Sequence, residues 1–529
     1  MPKLKKNTLI CDEQSSRDNL PEGWAEIELA DHIYIAGRIG WRGLKAEEYI
    51  ASGPLLISVP NLNYGDHVDF SRVNHISTDR YEESPEIQLR VGDTLLVKDG
   101  AGIGKLGYVA PLPAKATVNS SLLLVRPNDA LVSPPYLFQY LKGPQFQAIA
   151  RERITGSATP HLFQRDVKQL RVLVPPPPEQ ARIVAKVEEL QEHINASCER
   201  LAKVPKVLKA FRQSVLAAAC SGRLTEDWRD EHPKVEPGGV LLGRIRQKRH
   251  RLAQSTKERS QINNAFQPAF LVVGDELEIE HLPETWSSCR IGTIGTVVNG
   301  STPSRKRPEF WGGSVPWVSS GEVRNNLIDH TRERITESGF ESCSVRLLPP
   351  GTVLLAMIGE GKTRGQSSIL CISATINQNI AAILLNHGLV SPEFIWRWFQ
   401  FQYEATREHG GGTGPQALNC QRVRELSFVL PPLEEQYEIV RRIEMLFELA
   451  DRIERRVERA TKRADRLTQA VLAKAFRGEL VPIEAELARR KGREYEPASV
   501  LLNRIKAQRN AAALTNGRRQ PPGRPRPLS

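Results

Sequence analysis

The sequence contains no Cys-x-x-Cys. Its seven cysteines, Cys11, Cys198, Cys220, Cys289, Cys343, Cys371 and Cys420, are odd in number and scattered. That pattern argues against a disulfide framework or a zinc site and fits a reducing cytosol, so a cytoplasmic location is expected. No apolar run approaches the ~18 residues needed to span a bilayer. The opening MPKLKKNTLICDEQSS lacks the apolar core of a signal peptide. No metal-ligand spacing and no Ser/His/Asp arrangement can be argued, and His161 reads as a structural residue beside a helix start.

Two catalytic motifs are approached and missed. The stretch from Ala356 to Thr363, AMIGEGKT, ends like a phosphate-binding loop, but Ala356 stands where the first glycine is required. Its repeat mate, Lys98 to Leu106, has Asp99 at that position and Leu106 in place of the magnesium-binding hydroxyl. Both are expected to be glycine turns carrying basic residues. Ser133-Pro134-Pro135-Tyr136 matches the catalytic SPPY of amino-methyltransferases. Its mate is Ser391-Pro392-Glu393-Phe394, which cannot do that chemistry, and no glycine-rich strand–turn–helix accompanies either copy. A helix start with proline in the first turn accounts for both.

What the chain does have is a repeat. VPPPPEQARIVAKVEEL (Val174 to Leu190) recurs as LPPLEEQYEIVRRIEML (Leu430 to Leu446), with Gln180 on Gln436 and Glu179 on Glu435. The match resumes at QSVLAAACSGRL and QAVLAKAFRGEL without a gap, so two equivalent structural units are encoded. The prolines suit a helix start, and the acids after them favour its N-terminus. A heptad spacing follows: Ile183, Val187, Leu190, Ile194, Ser197, Leu201, Val204, Leu208, Phe211 and Val215. The second copy places Ile439, Ile443, Leu446, Ala450, Ile453, Val457, Ala460, Ala464, Leu467 and Val471 in the same register. Alternating steps of four and three are the signature of a coiled-coil seam. Pro205 is expected to break or kink the first helix. Gly222 and Gly478 supply the stops.

Ahead of each helix lies a globular stretch of mixed α and β character. They open at LPEGW (Leu20) and LPETW (Leu282), and runs such as DTLLVK and TVLLAMI read as strands. YLFQYLKGPQFQAIARE and FIWRWFQFQYEATREH read as helices. VLLGRIRQKR (Val240–Arg249) and VLLNRIKAQR (Val500–Arg509) form a third matched pair. The expected division is an extension at 1–19, globular segments at 20–174 and 282–430, helical spacer regions at 175–254 and 431–515, a polar connector at 255–281, and a disordered Pro/Arg tail at 516–529. The fold class is mixed α+β with a pseudo-twofold internal repeat.

The formal net charge of +12 raises the prior for a polyanionic partner. Two loops suit one. Gly300 to Arg307 carries Thr302, Ser304, Arg305, Lys306 and Arg307; cations beside hydroxyls and backbone amides suit phosphate, and Arg can read guanine edges. Gly37 to Gly43 is its mate, with Arg38, Trp41 and Arg42. The glycine turns add Lys98, Lys105, Lys362 and Arg364. A solvated basic loop is an equally good reading of these residues alone.

The twice-occurring PPxxEQ helix, VLAAACSGRLTEDW (Val215–Trp228), the LPExW openings and STPSRKRPEFWGGSVPWVSSGEV (Ser301–Val323) together resemble the DNA-specificity subunits of type I restriction–modification systems. The resemblance covers almost the whole chain. It implies two target-recognition domains, each reading half of a split site in double-stranded DNA. It also implies two long helices packed antiparallel as a spacer that docks two methyltransferase subunits. Such a subunit is not catalytic and binds no cofactor or metal itself. S-adenosylmethionine is expected on the modification subunits, and ATP and Mg on restriction/translocase subunits. Pro205 and the Arg-rich C-terminus depart from the family pattern.

Overall fold

A computed structural model of the chain describes residues 20–38, 44–63, 65–155, 161–266, 282–359, 362–385, 387–408 and 418–517. The chain divides into two compact units, Met1–Leu201 with Arg459–Ser529, and Ala202–Glu458.

In the first unit, strand Ala25–Glu28 pairs antiparallel with Arg171–Val174, tying the opening of the globular stretch to its end. A four-stranded antiparallel sheet follows the order Ile33–Gly37, Leu122–Pro127, Thr94–Val97, Leu106–Tyr108. A three-stranded sheet has Ile50–Ile57 at its centre, antiparallel to Asn74–His75 and parallel to Ala116–Val118. The second unit repeats this. Ser287–Arg290 pairs with Ser427–Leu430. A five-stranded sheet runs Thr296–Asn299, Ile380–Leu384, Val353–Ala356, Ser367–Leu370, Leu327–Ile328. Trp311–Val318 lies between Glu333–Ile335 and Thr375–Ile376, again with one antiparallel and one parallel neighbour. Strand Val353–Ala356 is apolar throughout, and Thr94–Val97 is apolar but for Thr94, because both faces are buried.

The aromatic helix expected in each globular stretch is two helices. Pro134–Lys142 stops at Gly143 and Pro144–Thr155 follows; Pro392–Phe401 is followed by Tyr403–Glu408.

Two long helices carry the repeated motif, Pro177–Cys220 and Leu433–Ala475. In the first unit Ile183, Val184 and Val187 share one core with Leu472, Ala475 and Phe476. In the second, Val215, Leu216 and Ala219 share one with Ile439, Val440 and Ile443, and Arg212 bridges Asp451 and Glu454. The start of one helix therefore meets the end of the other, which is an antiparallel arrangement.

Three expectations about the helices need correction or refinement. Pro205 does not break the first helix, which continues through it; the residue is exposed, so no packing contact is at stake. Leu467 is not in the seam but 46% exposed, and Ser197 is exposed too. At both places the buried stripe moves on by one residue, to Cys198 and Thr468, because an α-helix drifts against a strict heptad. Leu190, Ile194, Leu201, Ile453 and Val457 are half-buried, and Leu208 is buried.

The segment after each long helix folds onto a globular stretch. In the first unit Ala498 N donates to Gly23 O at 2.8 Å, and in the second Gly238 N donates to Thr285 O at 2.8 Å. These are matched positions of the repeat. The first globular stretch is thus closed by the segment after the second helix, and the second by the segment after the first. No helix among the described residues is long and apolar enough to cross a membrane.

Candidate nucleic-acid interface

The PPxxEQ motif is a clamp. Glu179 is fully buried and accepts from Trp24 Nε1 at 2.9 Å and from the backbone N of Glu484 at 2.7 Å. Glu435, equally buried, accepts from Trp286 Nε1 at 2.8 Å, Thr225 Oγ1 at 2.7 Å and Arg229 at 2.6 Å. Gln180 Oε1 accepts from Ser133 N at 2.8 Å while its amide donates to Leu131 O and Pro175 O. Gln436 treats Ser391 N and Pro431 O the same way. The motif therefore joins the LPExW opening, the aromatic helix and the returning segment to the helix start. Tyr136 of the SPPY motif is buried, donates to Leu173 O at 2.7 Å, and has its pKa driven well up by burial. It is a core residue and faces no substrate space.

The glycine turns are hairpin connections. Thr94–Val97 leads back antiparallel into Leu106–Tyr108, and Val353–Ala356 into Ser367–Leu370. A phosphate-binding loop requires a helix at that point. Gly104 at φ +85° and Gly365 at φ +82° make left-handed bends that other residues disfavour. Lys98 is part-buried with Nζ 4.0 Å from Asp99, whose carboxylate also pairs with His161. Lys105 is exposed and donates to Asn63 Oδ1 at 2.8 Å. Lys362 projects outward, its carbonyl fixed by Tyr403 Oη at 2.6 Å. Arg364 is half-buried and donates to Arg407 O at 2.9 Å, so it holds the turn in place.

The loop at 300–307 is the most elaborated of the basic sites. Gly300 has no room for a side chain, since a Cβ would lie 1.8 Å from Ile376 O. Trp317 Nε1 donates to Ser301 O at 3.1 Å and Trp311 Nε1 to Ser304 O at 3.3 Å, and the two rings meet edge to face at 5.1 Å. Arg305 lies over the Trp311 ring at 3.7 Å and makes a two-point ion pair with Glu333. That pair raises the Arg305 pKa and lowers that of Glu333. Thr302 donates to Gln378 Oε1. Ser304, Lys306 and Arg307 are exposed, Arg307 lying 5.5 Å from the Phe310 ring centre. Sequence reasoning missed Glu333, which lies 28 residues further along the chain from Arg305. The tryptophans behind the loop were its available signal.

Arg38 requires correction. It is 2% exposed, and its Nε donates to Val118 O at 3.1 Å. In the second unit Ser301 N donates to Ile376 O, the matched acceptor. Arg38 thus ties a loop end to the sheet and is not placed to touch phosphate. Trp41 and Arg42 lie outside the described residues. Among the described residues no group of three His, Cys, Asp or Glu side chains is placed to hold a metal.

Two copies of the type I restriction modification DNA specificity domain match residues 49–206 and 283–460. The chain belongs to this family. It is 25% identical over 525 residues to the StySPI type I restriction enzyme specificity subunit of Salmonella potsdam, with 95% of this chain and 98% of the relative covered. The EcoKI specificity subunit of Escherichia coli K12 is 24% identical over 512 residues, covering 94% and 98%. The crystal structure of the HsdS subunit from Thermoanaerobacter tengcongensis aligns with a TM-score of 0.52 at 17% identity over 87% of this chain and 98% of that one, which shows a common fold.

Proposed function

We propose that this family member is the sequence-specific DNA-binding subunit of a type I restriction–modification complex. It is not itself catalytic. Each globular segment reads one half of a bipartite site, and the long helices set the gap and dock methyltransferase subunits. The observation that carries this reading is the duplication: two specificity-domain copies, each with its own sheets and core and each clamped to a spacer helix by the same buried Glu and Gln. Lys105, Ser304, Arg305, Lys306, Arg307 and Lys362 are the contacts we assign to DNA, with phosphate supplying affinity and loop side chains the sequence. The complex includes two modification subunits that bring S-adenosylmethionine. Restriction subunits bring ATP and Mg, and the assembly works in the cytoplasm.

Mapping methylated adenines in cells that make this chain with its methyltransferase partner tests the reading. A split motif with a fixed gap is expected. Methylation independent of sequence, or identical methylation without this chain, would overturn it.

A further inference from the structure

One turn is built the same way in both units and carries a different side chain in each. Thr117-Val118-Asn119 recurs as Thr375-Ile376-Asn377, ahead of the strands Leu122–Pro127 and Ile380–Leu384. Asn119 N donates to Ile57 O at 2.9 Å, and Asn377 N to Val318 O at 3.0 Å. The asparagine side chain then folds the backbone over itself. Asn119 Oδ1 accepts from Ser121 N at 3.1 Å, and Asn377 Oδ1 from Asn379 N at 3.1 Å. Leu122 N closes on Asn119 O and Ile380 N on Asn377 O, both at 3.4 Å. Lys98 N donates to Ser121 O and Met357 N to Asn379 O, both at 2.9 Å. These matched hydrogen bonds make one scaffold twice. The residue at its tip is exposed in both units and differs between them: Ser120 in the first, Gln378 in the second.

The surroundings of the tip in the second unit give that difference a use. The Thr302 hydroxyl donates to Gln378 Oε1, which joins the tip to the loop at 300–307. The Met357 hydrogen bond joins the same turn to the strand end that leads into the glycine turn with Lys362. Gln378 thus stands between the two basic loops assigned to DNA in this unit.

Its chemistry is not that of the cations beside it. A cation meets a phosphate equally well at any sequence. A glutamine amide accepts from adenine N6 and donates to adenine N7 together, a pair that only adenine offers. This requires the amide oxygen and nitrogen to be held on defined sides. Thr302 does so by occupying one lone pair of Oε1, leaving the other open. Among the described residues the Gln378 amide nitrogen donates to nothing. Thr302 is therefore a positioning residue. The Ser120 hydroxyl both donates and accepts, and suits more than one base.

Resting on the DNA-reading function proposed above, we propose that Gln378, oriented by Thr302, reads an adenine in the half-site of the second unit, and that Ser120 holds the equivalent place in the other half-site.

The test uses the chain together with its methyltransferase subunits and maps methylated adenines in cells. The unaltered chain must first give a split motif; without one the DNA-reading function falls, and this inference with it. Given the motif, Gln378→Ala and Gln378→Ser should each relax one A·T position of one half-site. The other half-site and the gap should not change. Gln378→Ser installs the residue that the first unit carries on the same scaffold, so it keeps the fold. On duplexes bearing the mapped site with each base in turn at that position, the purified complex should lose discrimination by about tenfold or more. Gln378→Glu, which can only accept, should move the preference towards cytosine. Thr302→Val should relax the same position and Thr302→Ser should retain it. Ser120→Gln should alter the other half-site alone. A motif as strict with Gln378→Ser as without it overturns the inference and leaves the DNA-reading function standing. So does binding weakened evenly across sequences, which would make Gln378 a phosphate contact, and so does relaxation at a G·C pair.

Discussion

A carboxylate taken out of water is costly unless hydrogen bonds replace those it loses. Glu179 meets that cost with two N–H donors, and Glu435 with a tryptophan N–H, a threonine hydroxyl and a guanidinium; each draws one donor from a tryptophan about 150 residues away. Burial still holds the Glu179 pKa above the ordinary carboxylate range. Trp24→Phe leaves that carboxylate one donor short, and we expect a loss of about 1–3 kcal/mol, measured by denaturant unfolding, with an unchanged methylated sequence in cells. The cations we propose to face DNA divide on the same logic of partners. Arg305 is fixed by Glu333 and Trp311, whereas no side chain among the described residues pairs with Lys306. Lys306→Ala should weaken binding evenly across sequences and lower the salt slope by about 1. Arg305→Ala should in addition relax one position of one half-site if the stacked guanidinium reads a base. Unaltered affinity in both variants would take this loop out of the interface.

The long helices show how far a periodic pattern can be read. Ile183, Val187, Ile439 and Ile443 are buried as the heptad predicts. The pattern slips at Leu467 because hydrophobicity marks a residue as able to be buried, while the 3.6-residue turn decides which residues face inward. Leu467→Glu is therefore expected to change stability by no more than ~0.5 kcal/mol, whereas Ile443→Glu should unfold the second unit. The helix surface also responds to acid. Hydrogen bonds from Arg441, and then Arg442, hold the Glu438 carboxyl down at about 2, and the Arg442 hydrogen bond lowers Asp227. Their folded-state pKa values lie below the unfolded ones, so their contribution is complete above roughly pH 4.5. It is lost as pH falls from there towards about 2. Arg442→Ala should flatten this part of the unfolding midpoint against pH; a profile matching that of the unaltered chain would show that the bridge from the second helix to Asp227 contributes nothing.

At the scale of the whole chain, the duplication and its register could be read from the prolines, Glu179/Glu435 and the seam. The crossed closure could not, since nothing in the local pattern says that Ala498 meets Gly23. That closure spans nearly the full sequence; beside the Ala498–Gly23 hydrogen bond it is held by the Arg489–Glu22 ion pair and by Arg509, which donates to Asp31 O and pairs with Asp129. In the second unit the matched pair, Gly238 and Thr285, is also joined by the chain through residues 253–281. In the first unit that connection is missing, although Ala512 aligns with Leu252 and Leu20 with Leu282. Placing a copy of residues 253–281 after Ala512 and joining it to Leu20 would give the first unit the connection of the second. Opening the chain between residues 266 and 282 would then supply new ends. No strand pairing, core contact or clamp described above is cut, and a connection of this length adds little closure entropy. The permuted chain, made with its methyltransferase partner, is therefore expected to fold and to direct methylation to the same split site with the same gap. Methylation mapping checks both at once. Loss of folding would mean that the order of synthesis matters to the fold, and a changed gap would mean that the spacer depends on where the chain is open.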